Sequence, residues 1–343
     1  MAANMPTALV DPAPRSLDVI FLPNELEELR SLVRLQPESP QKPSPTQTDE
    51  ILKEAAFVIG QTDMPTERLG AAPKLRAIFN VEGNFLPNID YEECFRRGIH
   101  VLCVAPVFSQ AVAEMGLGLC IDLARGITDA HNAVRAGTEK YGMGGNAGSF
   151  LLRECDVGIV GFGGLGRALR ALLEPLRCTV RVSDPWLPVR TIAQAGCIPC
   201  GLDELLTRSR VVFVTAAATT ENQGFLNERH FALMPKGGLF ILLSRASVVD
   251  FPAMLAAAAS GHLRVATDVF PEEPIPPGHP ARTTPNLLLS PHRAGGIKEA
   301  MTEMGTLVLS DVKQILRGLP PSACLRAERE TVARMRSKPV KKT

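Results

Sequence analysis

Short apolar runs alternate with amphipathic stretches along most of this chain, and that alternation predicts an α/β fold. Asp18-Val19-Ile20-Phe21-Leu22 reads as a strand, residues 25–33 as a helix, and the Pro/Ser-rich stretch 36–48 as a long loop. A helix over 49–56 then leads to a strand at 57–59, and a helix over 66–69 to a strand at 75–79. Another over Tyr91–Arg97 leads to a strand at 99–102, which completes a small doubly wound domain. From Ser109 to about residue 137 the pattern predicts one long helix, apolar on most sides and therefore buried at a domain or subunit interface. Later strands are expected at Val211–Val214, 239–243, 264–267 and Leu287–Leu289, and a last helix at Lys298–Leu316.

The most informative stretch is 157–184. The apolar run Val157-Gly158-Ile159-Val160 enters Gly161-Phe162-Gly163-Gly164-Leu165-Gly166. Leu165, Ala168, Leu169, Leu172, Leu173 and Leu176 then mark one helix face, and a strand over 179–183 ends on Asp184. Gly161 allows a tight turn, Gly163 lets a pyrophosphate approach the backbone, and Gly166 lets helix and strand pack closely. The helix start, at Gly164 and Leu165, offers free N–H groups to phosphate. Asp184 lies 18 residues past Gly166, where a carboxylate accepts hydrogen bonds from the adenosine ribose. It would repel a 2′-phosphate, and Pro185-Trp186-Leu187 adds no cation, so the expected cofactor is NAD rather than NADP.

Composition narrows the class. The chain has 343 residues, enough for two cores, and its 45% hydrophobic content is that of a globular protein. A net charge of +1 argues against nucleic acid or an anionic membrane as partner. No apolar run is expected to reach membrane-spanning length, since Glu114 and Asp122 interrupt the best candidate. No signal peptide is read at the N-terminus. Most of the eight cysteines sit in apolar runs, which points to reduced thiols in the cytoplasm. Cys197 and Cys200 have redox or metal spacing, but no second pair lies near them, and no metal site is expected. The basic tail from Leu325, with Arg326, Arg329, Arg334, Arg336, Lys338, Lys341 and Lys342, is expected to be solvated and partly disordered.

Polar residues stand where ligands bind in open α/β sheets, at the carboxyl ends of successive strands: Ser244-Arg245, Asp268 to Glu273-Pro274, and Ser290-Pro291-His292-Arg293-Ala294-Gly295. With Ala111-Val112-Ala113-Glu114 and the glycine fingerprint, these resemble in order the motifs of the D-isomer-specific 2-hydroxyacid dehydrogenases, over nearly all of the chain. The resemblance implies two doubly wound parallel-sheet domains with a cleft between them. An NAD-binding Rossmann domain (111–300) is inserted into a smaller flavodoxin-like substrate domain (1–110), to which 301–343 return. It implies a catalytic set in which Arg245 holds the substrate carboxylate, His292 exchanges the hydroxyl proton and Glu273 orients the imidazole and favours its charged form. It also implies that Ser244, Asp268 and Gly295 meet the cofactor, with Asp268 on the nicotinamide carboxamide. The backbone of Val81-Glu82-Gly83 would cup the substrate carboxylate. A homodimer built on the helix from Ser109 is the implied assembly.

Ala246 stands where the family has glycine, Leu242 where it has asparagine, Cys103-Val104-Ala105 for Asn-Thr-Pro, and Thr215-Ala216-Ala217 for His-x-Pro. These changes are expected to remove side-chain hydrogen bonds around the cofactor and leave the catalytic set intact. The loop Gly60-Gln61-Thr62-Asp63-Met64-Pro65 lacks the arginine of phosphoglycerate dehydrogenases, which points to a small unphosphorylated 2-oxo acid. A phosphoglycerate dehydrogenase, with Arg293 supplying the missing charge, and an NAD(H)-sensing binding protein of the same fold are the alternatives.

Overall fold

The computed structural model describes residues 5–38 and 42–334. The chain divides into two compact units, Met1–Phe108 with Gly296–Thr343, and Ser109–Gly295. In chain order the first unit holds β1 (Thr7–Asp11), β2 (Arg34–Gln36), β3 (Ala55–Gly60), β4 (Ala77–Asn80) and β5 (His100–Cys103). The second holds β6 (Asp156–Val160), β7 (Thr179–Ser183), β8 (Ile198–Pro199), β9 (Val211–Val214), β10 (Gly238–Leu242), β11 (Leu263–Thr267) and β12 (Leu287–Leu289). A last strand, β13 (Leu325–Arg326), belongs to the first unit.

Among the described residues the first sheet runs β13-β5-β4-β3-β1-β2, parallel except for β13. The second runs β12-β11-β10-β9-β6-β7-β8 and is parallel throughout. Parallel strands need helical crossovers, and helices on both faces require central strands that are apolar on both sides. β9 shows this directly: Val211 and Phe213 join one core, Val212 and Val214 the other. The strand order reverses between β6 and β9, and a crevice at the carboxyl ends of such strands is the general ligand position.

The return helix Lys298–Leu316 is fixed within the first unit by its own side chains. Thr306 donates to Glu25 at 2.7 Å and Lys313 pairs with Glu28 at 2.6 Å. The fully buried Asp311 accepts the N–H groups of Ser322, Ala323 and Cys324 and so leads the chain into β13.

Several expectations need correction. Asp18-Val19-Ile20-Phe21-Leu22 is not a strand: Leu17–Ile20 is one helical turn, and the first strand is β1. An apolar run of that length carries no period to decide between them, and Val19 and Leu22 end up exposed. The Pro/Ser-rich stretch is shorter as a loop than expected, because the helix Pro45–Leu52 begins inside it. Ser44 Oγ accepts the Gln47 N–H and Gln47 Oε1 accepts the Ser44 N–H, a reciprocal cap with proline at the first helical position. Residues 39–41 of that stretch lie outside the described residues.

The long helix is two, Phe108–Arg125 and Ile127–Ala136, broken at Gly126 in the left-handed region with φ of 63°. Only the first is partly buried; the second buries no residue. The stretch Ala105–Arg125 is, by length and composition alone, long and apolar enough to cross a membrane, contrary to the expectation above. Its buried positions Ala113, Leu119, Cys120 and Ala124 pack into the core of the second unit. The tail from Leu325 forms β13 and the turn of helix Arg329–Val332, while Arg336, Lys338, Lys341 and Lys342 lie outside the described residues.

Candidate active site

The glycine turn follows β6, where the second sheet reverses its order. Gly161 has φ of 87°, and a Cβ there would lie 2.5 Å from Ala216 Cα, so glycine is required on both counts. A Cβ on Gly166 would meet the Gly161 carbonyl oxygen at 2.6 Å, which places helix Gly164–Leu173 tightly against the turn. Nothing lies within 4 Å of a Cβ built on Gly163. That open space faces the start of a ten-residue helix whose N-terminus has no side-chain cap. Unsatisfied N–H groups, a positive dipole end and room for a ligand suit a pyrophosphate. Gly164 packs beside Ser109, and Leu165 is partly buried against the core.

Asp184 ends β7 with its carboxylate already oriented. Oδ2 accepts the Phe162 N–H at 2.8 Å and Oδ1 the Trp186 N–H at 2.9 Å, and each oxygen keeps capacity for a ribose hydroxyl. Ser244, at the end of β10, is 8% exposed, and its buried Oγ has no hydrogen-bond partner among the described residues. A buried orphan hydroxyl requires an explanation, and a cofactor polar group supplies one. The residues present therefore fit a dinucleotide.

Thr215, expected only to mark hydrogen bonds lost around the cofactor, has a structural role of its own. Its hydroxyl donates to the Gly161 carbonyl at 2.6 Å and braces the glycine turn from β9. The only signal in the sequence was its place directly after a buried strand.

At the other side of the same sheet end, His292 Nδ1 lies 2.6 Å from Glu273 Oε2. A carboxylate only accepts, so Nδ1 carries the proton and Nε2 is left for other partners. Glu273 is held in turn by the Phe270 N–H on Oε1 at 2.9 Å. His292 has φ of 48°, uncommon for a residue with a side chain and a cost of about 1–3 kcal/mol.

Asp268 imposes that conformation. It is 1% exposed, and Oδ1 accepts the Ser290 hydroxyl and, at 3.1 Å, the Arg293 N–H, while Oδ2 accepts the Ala294 N–H at 3.0 Å. Asp268, expected at the nicotinamide, has its carboxylate shaping the loop that carries His292, a role the sequence did not show; Ser290 was missed with it. Gly295 closes the loop and the unit. Arg245, after β10, donates to the neighbouring Ser244 carbonyl at 2.7 Å, and no carboxylate pairs with it among the described residues. Its remaining donors are free to bind an anionic ligand.

In the first unit, Val81-Glu82-Gly83 follows β4, and only part of it can serve a ligand. The Glu82 N–H is taken by Asn80 Oδ1 at 2.8 Å and the Glu82 carbonyl by the Cys103 thiol at 3.0 Å. Burial pushes that thiol up to about 12, so it stays protonated and donates. Of the expected cup at Val81-Glu82-Gly83, the Glu82 amide is thus engaged within the chain, and the Gly83 N–H has no partner among the described residues.

Cys197 and Cys200 are free, and burial raises both thiols above their ordinary range, which disfavours the thiolate form. No group of metal-binding side chains occurs among the described residues.

Residues 117–294 match the D-isomer specific 2-hydroxyacid dehydrogenase NAD binding domain. The glyoxylate reductase of Thermofilum pendens is 30% identical over 289 residues, 80% of this chain and 82% of that protein. The D-3-phosphoglycerate dehydrogenase of Escherichia coli K12 is 34% identical over 75% of this chain, which spans 64% of that protein's length. A solved phosphoglycerate oxidoreductase from Rhizobium etli is 46% identical with a TM-score of 0.85, covering 95% of this chain and 99% of that one. The chain belongs to the D-isomer specific 2-hydroxyacid dehydrogenases, NAD-dependent oxidoreductases acting on CH–OH groups.

Proposed function

We propose that the chain interconverts a small unphosphorylated 2-hydroxy acid and its 2-oxo acid, with Arg245, Glu273 and His292 as the catalytic set. The observation that carries this reading is the 2.6 Å His292–Glu273 pair, on a sheet end that also presents a guanidinium without an acidic partner. Arg245 grips the substrate carboxylate through paired N–H groups and draws electron density from the C2 oxygen. When bound, NADH supplies the hydride and NAD accepts it. During reduction, His292 gives the Nε2 proton to the C2 oxygen; in the reverse direction neutral Nε2 removes the hydroxyl proton. Glu273 keeps the ring turned so that Nε2 is the exchanging atom. Within the first unit, the Gly83 N–H is a separate donor suited to a carboxylate.

The absence of an arginine from 60–65 supports an unphosphorylated substrate. Oxidation of a phosphorylated acid is a second reading, favoured by the 46% identity with the Rhizobium etli protein. The test is a steady-state comparison of glyoxylate, hydroxypyruvate and 3-phosphohydroxypyruvate, each with NADH and NADPH, at one pH and salt. An unphosphorylated acid is expected to have the highest kcat/KM. NADH is expected to be preferred by about tenfold or more, the factor that some 1.4 kcal/mol of repulsion at Asp184 produces. A higher kcat/KM for the phosphorylated acid would select the second reading.

We also propose a homodimer built on the segment from Ser109. Ile127 and Val134 are exposed on the helix that buries nothing, and Tyr141 and Met143 beyond it are 85% and 94% exposed. Apolar groups so placed support an interface. The eight unpaired thiols support a reducing, cytoplasmic setting. Light scattering is expected to give twice the chain mass, and Ile127→Lys with Val134→Lys to give the single chain; a monomeric parent would refute the assembly.

A further inference from the structure

The first unit places a cation where the sequence shows none. Arg15 lies in the turn after β1, 66 residues from the loop that follows β4. Its Nη1 donates to the Val81 carbonyl at 3.1 Å and to Glu82 Oε1 at 2.6 Å, and its Nη2 to Glu82 Oε2 at 3.3 Å. With the Asn80 and Cys103 contacts, every polar group of Glu82 is held by the chain itself. Val81 is fully buried, and a Cβ on Gly83 would come within 3.2 Å of the Phe108 ring, so the segment is gripped on both sides. Lys42 likewise faces an acid near the end of β1, Asp11, at 4.0 Å.

We propose that Arg15 is a positioning and specificity-determining residue: it fixes the Val81–Glu82 backbone so that the Gly83 N–H is aimed for a carboxylate, while Glu82 cancels its charge. The inference rests on the reading of 81–83 as the loop that receives substrate. The forked pair satisfies both Glu82 oxygens, so an incoming dianion meets no free cation from Arg15 unless Glu82 is displaced. A monoanionic 2-oxo acid needs no cation from this loop, only its oriented amide. The loop thus favours substrates with a single negative charge through a cation that is present but neutralised.

Three variants test it with hydroxypyruvate and 3-phosphohydroxypyruvate. Arg15→Gln is expected to raise the KM for hydroxypyruvate by roughly 10-fold or more, because a displaced binding group costs up to about 10². Its kcat should stay within about 3-fold and the KM for NADH unchanged, the pattern of lost ground-state binding. Glu82→Gln should raise the phosphorylated-to-unphosphorylated kcat/KM ratio about tenfold, since it frees the guanidinium. Arg15→Gln combined with Glu82→Gln should recover part of the lost KM through an amide–amide hydrogen bond. If Arg15→Gln does not fold, Arg15→Lys takes its place and should also raise KM, having no fork to reach Val81 and Glu82 together. An unchanged KM, or a double variant no better than the single one, would overturn the positioning role. An unchanged substrate ratio in Glu82→Gln would overturn the charge cancellation. A parent inactive with every acid would instead count against the reading of function; an active parent indifferent to Arg15 counts against this inference alone.

Discussion

Replacing His292 by alanine is expected to lower kcat by about 10²- to 10⁴-fold, the range for losing a positioned acid–base group. Binding of NADH, followed by fluorescence titration, should change little, because the glycine turn and Asp184 lie elsewhere on the sheet. Glu273→Ala is expected to cost less, about 10- to 100-fold, since the imidazole remains but loses the partner that fixes its tautomer and plane. The order of the two effects is the informative part. The 2.6 Å contact joins Glu273 to Nδ1, the nitrogen that exchanges nothing, so Glu273 acts through His292. If Glu273→Ala lost as much activity as His292→Ala, the carboxylate would itself be handling the proton. If His292→Ala lost less than 10-fold, the assignment of the relay would be wrong.

Asp268→Ala is expected to lower both stability and kcat. The substitution strands the Ser290 hydroxyl and the N–H groups of Arg293 and Ala294 around a carboxylate that is 1% exposed. A buried donor left unsatisfied costs about 1–3 kcal/mol, so three cost about 3–9 kcal/mol before the loop relaxes. In a domain of this size each 1 kcal/mol is worth about 2–4 °C, and a fall in Tm of roughly 6 °C or more is expected. Activity should fall with it, because the left-handed backbone at His292 is held by these bonds and has an open alternative without them. Asp268→Asn is the sharper probe: it keeps the volume but turns one acceptor into a donor facing donors. Were Asp268 to act mainly on the nicotinamide, either variant would weaken NADH binding and leave Tm unchanged.

The cofactor half of the protein was legible because its logic is local. The fingerprint, the helix face after it and Asp184 lie within 28 consecutive residues, 157–184, and strand–turn–helix–strand packing needs no distant partner. The placement of Arg245, Glu273 and His292 at sheet ends was legible too, since each follows a strand whose apolar run marks where the sheet ends. What the residues do to one another was not. Asp268 and Ser290 meet across 22 residues, Thr215 and Gly161 across 54, and Arg15 and Glu82 across 67. A side chain's hydrogen-bond partner is set by strand order and loop path, and the sequence period records only which face a residue occupies. Short apolar segments failed for a related reason: Thr7–Asp11 and Asp18 to Leu22 look alike in composition, and only burial in a sheet made the first a strand. The sequence by itself determined which residues could bind a dinucleotide and exchange a proton. Tertiary structure decided which carboxylate shapes the histidine loop, which hydroxyl braces the glycine turn and which arginine holds the loop after β4, because those choices depend on contacts between segments far apart in the chain.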